Sequence, residues 1–509
     1  MFDMGNALVR NVIASIVLVI LCIVIGVQAA ESAKVSVGII VALLGVVFLI
    51  WMGPRVWSLI YLLPPVLTLI PIPGKLGTLP TMFMVSGVVL FYWIVMWVMG
   101  YVRFRWRSLW VMDLLVLVVF CYMVASYIRH PVSMAIFGYD AEYVGGKEYV
   151  WCITATVHYL ALSLIPCSHE QIRNVMWWGV KLSLAACFFG LFLSLSGLRG
   201  GVDITEVAEA AQGTRFGMFV SLSMYIIYFI YGRYPIIQVL TKPSYLMACL
   251  LALVGITLSG AREVLVGKCF VIAAIGVVKR ELWCLTVLGL LAYGGILYLS
   301  SEGIVKTWPH GIQRCFHVLP GVEIDEEIER STTHSSEWRI EMWKWALDKR
   351  TGYIQDYVWG DGFGQSVDYL RRETTSMMRG TTVYGDQDYF ARTGTWHSGV
   401  ITTIHRLGYV GLGIVVVFCL CGVFLFFQVC IALKGTSLYI PCLFYTVTFA
   451  GECPIYFISA GTLPFFFRMY AYVSFVKLLY CVAREQGRIV PRLQRRRYVP
   501  ILIQEHNAA

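Results

Sequence analysis

The sequence predicts an all-α polytopic membrane protein, and three observations carry that prediction. Of its 509 residues, 58% are hydrophobic and only 14% are charged, whereas a soluble globular chain carries about 25% charged residues. The mean hydropathy is +0.72. Apolar runs able to cross a hydrocarbon core of about 30 Å, which takes about 20 helical residues, recur along nearly the whole chain.

In order, the runs lie near 11–30, 35–52, 56–72, 82–100, 108–126, 150–166, 175–195, 214–231, 245–259, 264–278, 282–299, 407–430, 437–452 and 462–480. A hydropathy window therefore predicts about 12–14 transmembrane helices. The first run ends in Val27-Gln28-Ala29-Ala30, small residues where a signal peptidase cuts. Its apolar stretch 12–27 exceeds the usual signal core of about 7–15 residues, which favours a retained helix. The third run contains Pro64 and Pro65, and the runs 245–259 and 264–278 are short enough to be tilted, broken or paired as a re-entrant unit.

Charge sets the expected orientation. With a cytoplasmic amino terminus, the even loops carry Arg55, then Arg103, Arg105 and Arg107, then Arg173, Arg233, Lys242, Lys279, Arg280 and Lys434. The short odd loops carry fewer, which is the positive-inside pattern. This divides the chain into a helix bundle at 1–300, one large outer loop at 301–396 with an amphipathic helix, further transmembrane helices at 397–483, and a basic cytoplasmic tail at 484–509. The loop holds 11 basic and 15 acidic residues, so the net +10 of the chain comes from the rest of it. Positive charge placed this way anchors topology against anionic lipid and argues against a nucleic-acid partner. Nearly all of the 15 cysteines lie in apolar segments, without a disulfide framework or a paired Cys-x-x-Cys zinc pattern. No internal repeat is visible, which argues against a secondary transporter.

Ionisable residues near membrane depth are functional candidates by default. On the expected outer face, Gly213-Thr214-Arg215-Phe216-Gly217 and Leu258-Ser259-Gly260-Ala261-Arg262-Glu263 place Arg215 and Arg262 where the positive-inside rule expects few basic groups. Interfacial snorkelling, with Arg262 paired to Glu263, is the plain alternative. Against it, arginine offers the planar donor fork that grips phosphate oxygens. Within the loop, Ser335-Ser336-Glu337-Trp338-Arg339 reads as the capped start of an amphipathic helix, with Trp338, Met342, Trp345 and Ala346 on one face and Arg339 on a neighbouring one. Gly360-Asp361-Gly362-Phe363-Gly364 reads as a backbone turn beneath a substrate and is weak as a phosphate motif. A further helix is expected from Trp396-His397-Ser398-Gly399. His397 has the residue chemistry of a general base. It lies eight positions from His405, roughly 12 Å along a helix, too far to share a metal. Asp386-Gln387-Asp388 could hold a divalent cation, but offers few of the oxygen ligands such ions take.

Taken in order, these segments resemble the O-antigen ligase and O-antigen polymerase superfamily of bacterial envelope glycosyltransferases. The similarity runs from Gly213 to Gly411 through Thr214-Arg215-Phe216-Gly217, Leu258-Ser259-Gly260-Ala261-Arg262, Trp338-Arg339 with the glycine-rich turn, and His397 followed by Gly408 and Gly411. Ser398 stands where that family usually has Asn, and Arg406 where an acidic residue is common. The resemblance implies a GT-C-like enzyme of the bacterial inner membrane with a periplasmic loop and active site, working without a cofactor. It would transfer a glycan from an undecaprenyl-diphosphate carrier to a hydroxyl of lipid A core, polysaccharide or protein, with inversion. His397 would be the catalytic base, Arg215, Arg262 and Arg339 would bind the diphosphate, and no metal would be needed. A lipid-linked glycan transporter or flippase is the reading from a different class.

Overall fold

The computed structural model describes residues 45, 47–49, 51–67, 81–104, 106–132, 143–165, 168–195, 217–257, 262–366 and 396–489. The apolar run 11–30, Arg215, Asp386, Asp388 and the tail beyond 489 lie outside the described residues. A 3-10 turn at Gly53–Ser58 leads into α1 (Leu59–Leu67), followed by α2 (Thr81–Val98), α3 (Trp110–Arg129), β1 (Tyr143–Val144), α4 (Gly146–Ser163), α5 (His169–Leu195), α6 (Gly217–Ile230), α7 (Ile236–Thr241), α8 (Pro243–Thr257), α9 (Arg262–Lys279) and α10 (Leu282–Ser301). Then come α11 (His310–Phe316), α12 (Glu326–Leu347), β2 (Gln365–Ser366), α13 (Gly399–Leu433), α14 (Tyr439–Ile455), a π-turn at Tyr456–Ala460 and α15 (Leu463–Glu485).

Five described helices, α2, α3, α10, α13 and α15, are long and apolar enough to cross a membrane, and α8 and most of α6 are shorter apolar helices. The chain is a helical membrane protein. The run 56–72 begins as a 3-10 turn and continues as the nine-residue α1, which contains Pro64 and Pro65; each proline removes a backbone donor and crowds the preceding turn. The runs 245–259 and 264–278 appear as α8 and α9, and α9 carries Arg262, Glu263, Lys268 and Lys279.

The hub is α15, whose most apolar stretch is 78% buried, in contact with α4, α13 and α14. At the other extreme, the most apolar stretch of α10 has no fully buried residue; one side of the helix packs through Leu285 and Leu288 on the core, and much of the rest is exposed. A polar contact locks one end of the hub. The Lys477 ammonium donates to Asp113 and, at 2.7 Å, to Ser163, while the Tyr159 hydroxyl donates to Asp113 at 2.6 Å. This pair ties α15 to α3 and α4, and the extra hydrogen bonds offset the cost of taking both charges out of water.

Two sequence expectations about the loop need correction. The amphipathic helix does not start at Ser335: α12 begins at Glu326, capped by Asp325, whose carboxylate accepts from the Glu327 amide. Three acids in the first turn, Glu326, Glu327 and Glu329, suit the positive end of the helix dipole. Part of the apolar face of α12 packs within the protein. Met342 and Ala346 are fully buried against Trp396 and Ile401, with Trp338 and Trp343 packed around them.

The glycine-rich turn is the second correction. Helix α13 is broken at Gly408, which adopts φ 66° and ψ −175°. That break releases the carbonyls of His405, Arg406 and Leu407 and the amides of Tyr409 and Val410 from the helical ladder. Segment 357–362 takes up most of them: the Asp361 amide donates to the His405 carbonyl (2.8 Å), Gly362 to Arg406 (3.1 Å), Tyr409 to Tyr357 (2.8 Å) and Val410 to Val358 (3.2 Å). The Tyr122 hydroxyl of α3 donates to the Leu407 carbonyl. Buried backbone groups must be paired, and this arrangement pairs them. The Asp361 and Gly362 amides are therefore committed to carbonyls and do not cradle a ligand.

The glycines are needed for close approach. Gly360 has φ 83°, and a Cβ on it would strike the Leu407 nitrogen; a Cβ on Gly408 would strike the Val358 carbonyl. Gly360→Ala and Gly408→Ala are each expected to destabilise the protein by at least about 1–3 kcal/mol from the strained backbone alone. Gly413→Ala, in the same helix but facing open space, is expected to leave the melting temperature unchanged or slightly raised. Thermal unfolding of the purified protein in detergent checks this, and an unchanged midpoint for Gly408→Ala would refute the clamp.

Candidate active site

Above the clamp, the segment leading into α13 is held from three sides. Ser398 is the N-cap of α13, its hydroxyl accepting from the Ile401 amide. The helix therefore begins at Gly399, three residues after the expected start at Trp396. Trp396 is fully buried; its carbonyl accepts from the Trp343 indole of α12 at 2.7 Å, and its own indole donates to His405 Nδ1 at 3.0 Å. This bond leaves the proton of neutral His405 on Nε2, which faces Asp361 at 3.6 Å. His405 is thus a buried bracing group behind Trp396.

Between Trp396 and Ser398 stands His397, one of two non-glycine residues among those described with positive φ, at 50°. Backbone strain of this kind persists only where the surroundings enforce it. Its ring lies edge-on to Trp338 of α12 with centroids 6.3 Å apart.

Arg262 is the first residue of α9, and its Nη1 donates to Ser336 of α12 at 3.1 Å. Arg339 is on α12, three residues beyond Ser336. A third guanidinium, Arg314, comes from α11, a short helix fixed by the buried Gln313. The Gln313 amide donates to the Lys306 and Trp308 carbonyls and accepts from the Asp325 amide at the cap of α12. Arg314 and Arg339 act on Arg262 as like charges, Arg339 also acts on His397, and the Glu263 carboxylate opposes them at both positions.

The structure therefore brings three of the four sequence candidates, Arg262, Arg339 and His397, into one electrostatic neighbourhood. Arg215 lies outside the described residues. Arg262 hydrogen-bonds Ser336, rather than simply folding back on Glu263. Sequence reasoning missed Arg314, Ser336 and the role of Glu263. Arg314 carried a usable signal, a basic residue in a net acidic loop, but nothing in its spacing ties it to Arg262.

Burial, then the positive field of Arg339, hold the His397 imidazole below its ordinary value, with Glu263 pulling the other way. The ring is accordingly neutral at pH 7 and gains its proton only below the usual value of about 6.5. Three guanidiniums with one carboxylate in this neighbourhood carry a net positive charge, which suits an anion. Among the described residues, no group of three or more His, Cys, Asp or Glu side chains is placed to hold a metal ion. No protein-family description and no curated protein matches the chain.

Arg339→Met removes a repelling charge and is expected to raise the His397 titration midpoint, whereas Glu263→Gln is expected to lower it. The pH dependence of His397 modification by diethylpyrocarbonate, read by peptide mass spectrometry, measures both. Two unmoved midpoints would separate His397 from these groups.

Proposed function

We propose that this protein is a polytopic membrane glycosyltransferase of GT-C-like architecture that moves a glycan from an undecaprenyl-diphosphate carrier to an acceptor hydroxyl. The observation that carries this reading is that Arg314 and Arg339, from two other helices, act on Arg262, and that Arg339 acts in turn on His397. The resemblance to O-antigen ligases and polymerases supplies the substrate class, the bacterial inner membrane and the periplasmic orientation of the site. Arg215 joins the site by that resemblance.

In this reaction the acceptor oxygen attacks the anomeric carbon while His397 takes its proton. The bond from that carbon to the diphosphate oxygen breaks, and its electron pair leaves with the diphosphate. The arginines stabilise the charge that develops there, a task for preformed donors aimed at the leaving group. A single displacement of this kind inverts the anomeric configuration. A ligase, a polysaccharide polymerase and a protein O-oligosaccharyltransferase would share this chemistry and differ in the acceptor.

A lipid-linked glycan transporter is the second reading, favoured by one observation: Lys268 and Glu452 place charged groups within the helix bundle, where transporters need them. An assay in detergent, with no membrane to cross, separates the two. Purified protein given a polyprenyl-diphosphate glycan and an acceptor is expected to form product. His397→Ala is expected to lower the rate by about 10²–10⁴-fold at unchanged melting temperature. Arg262→Lys is expected to fail as well, since lysine keeps the charge but loses the fork. Product formation at the native rate by His397→Ala would remove the proposed base.

A further inference from the structure

Within the bundle lies a chamber of about 560 Å³ that the transfer chemistry does not use. This volume falls in the range of small-molecule sites. Its walls come from α1, α2, α5, α6, α9, α14 and α15, and they carry two ionisable groups of opposite sign, Lys268 and Glu452. Lys268 lies six residues beyond Arg262 on α9, about 9 Å further along the helix axis. Glu452 is on α14, the helix packed closely against α9. There, a Cβ on Gly451 would meet Val271 and the Gly267 carbonyl.

The two charges share the chamber without touching. No salt bridge among the described residues joins them, and Glu452 Oε2 is buried with no hydrogen-bond partner. Arg468 acts on Glu452 as well as Lys268 does, and a buried carboxylate oxygen without a hydrogen-bond partner is costly. Seven of the other eighteen wall residues are aromatic. Tyr225 stacks on Phe444 with centroids 5.1 Å apart, and Phe444 meets Tyr445 edge-on at 4.8 Å, with Tyr228 and Tyr472 beside them.

We propose that this chamber binds a zwitterion, its ammonium group directed to Glu452 and the aromatic faces and its anionic group to Lys268. Aromatic faces with a carboxylate are the chemistry that holds an organic ammonium. A simple anion would be repelled by Glu452 and a simple cation by Lys268, whereas a ligand with both charges satisfies each. Phosphoethanolamine is the matching chemistry, either as a lipid headgroup or as a free small molecule.

The full chain, reconstituted in nanodiscs of equal phosphatidylethanolamine and phosphatidylglycerol, is released into native mass spectrometry and its retained lipids are counted. Retention of phosphatidylethanolamine at least about fivefold over phosphatidylglycerol, lost in both Glu452→Gln and Lys268→Met, assigns the lipid source. A rise in melting temperature of lipid-free protein with free phosphoethanolamine, absent in the same variants, assigns the soluble source. Equal lipid retention together with no response to free phosphoethanolamine overturns the proposal. That comparison uses the unmodified protein, so it stands even if a variant fails to fold. Preserved selectivity in folded Glu452→Gln overturns it too.

Discussion

The site depends on one arrangement of backbone hydrogen bonds, the repair of the break in α13 at Gly408. A helix interrupted inside a bundle leaves amides and carbonyls without partners, and each unpaired group costs free energy where water is excluded. Segment 357–362 supplies those partners and is itself fixed by supplying them. Its far end continues into β2, which pairs antiparallel with β1 just before α4. Arg406 adds a guanidinium bond to the Gly362 carbonyl at 3.0 Å. The loop is thereby docked on the bundle by main-chain geometry, which tolerates side-chain substitution but not a Cβ at Gly360 or Gly408.

From that anchor, rigidity passes to the charged cluster through aromatic side chains. His405 and Trp343 both hold Trp396, and Trp396 holds the start of α13, where His397 projects. On the other side, Asp325 caps α12 and Gln313 joins that cap to α11. The three arginines therefore belong to separate helices that hydrogen bonds tie to one another, Arg262 to Ser336 of α12 and Gln313 of α11 to the α12 cap. Like charges so arranged repel one another, and the packing of α9, α11 and α12 holds them together against that repulsion.

Much of this protein was readable from residue order, and the limits of that reading have physical causes. Apolar runs of membrane length announced helices such as α2, α3, α10 and α15 because a bilayer imposes a length on any helix that crosses it. Arg262 stood out because basic groups are unexpected on the expected outer face, Arg339 because it lies on the amphipathic helix of the loop, and His397 because it begins a helix after a polar loop. The start of α12 was misplaced because Ser335-Ser336-Glu337 has the form of a cap. Asp325 with its three following acids has that form too, and only packing chooses between two such signals. The glycine-rich turn read as a surface for a ligand because glycine permits close approach to anything, another backbone included.

Sequence alone determined what each residue can do: which stretches can enter lipid, which side chains carry a fork of donors, which ring can take a proton near neutral pH. These properties are local, set by composition and by spacing along one helix. Tertiary structure decided which of them meet. Arg314 joins Arg262 across 52 positions, and Glu452 comes to face the same chamber as Lys268 across 184. No periodicity along the chain encodes such meetings, because they arise from how separate helices pack and where a helix can be broken and repaired.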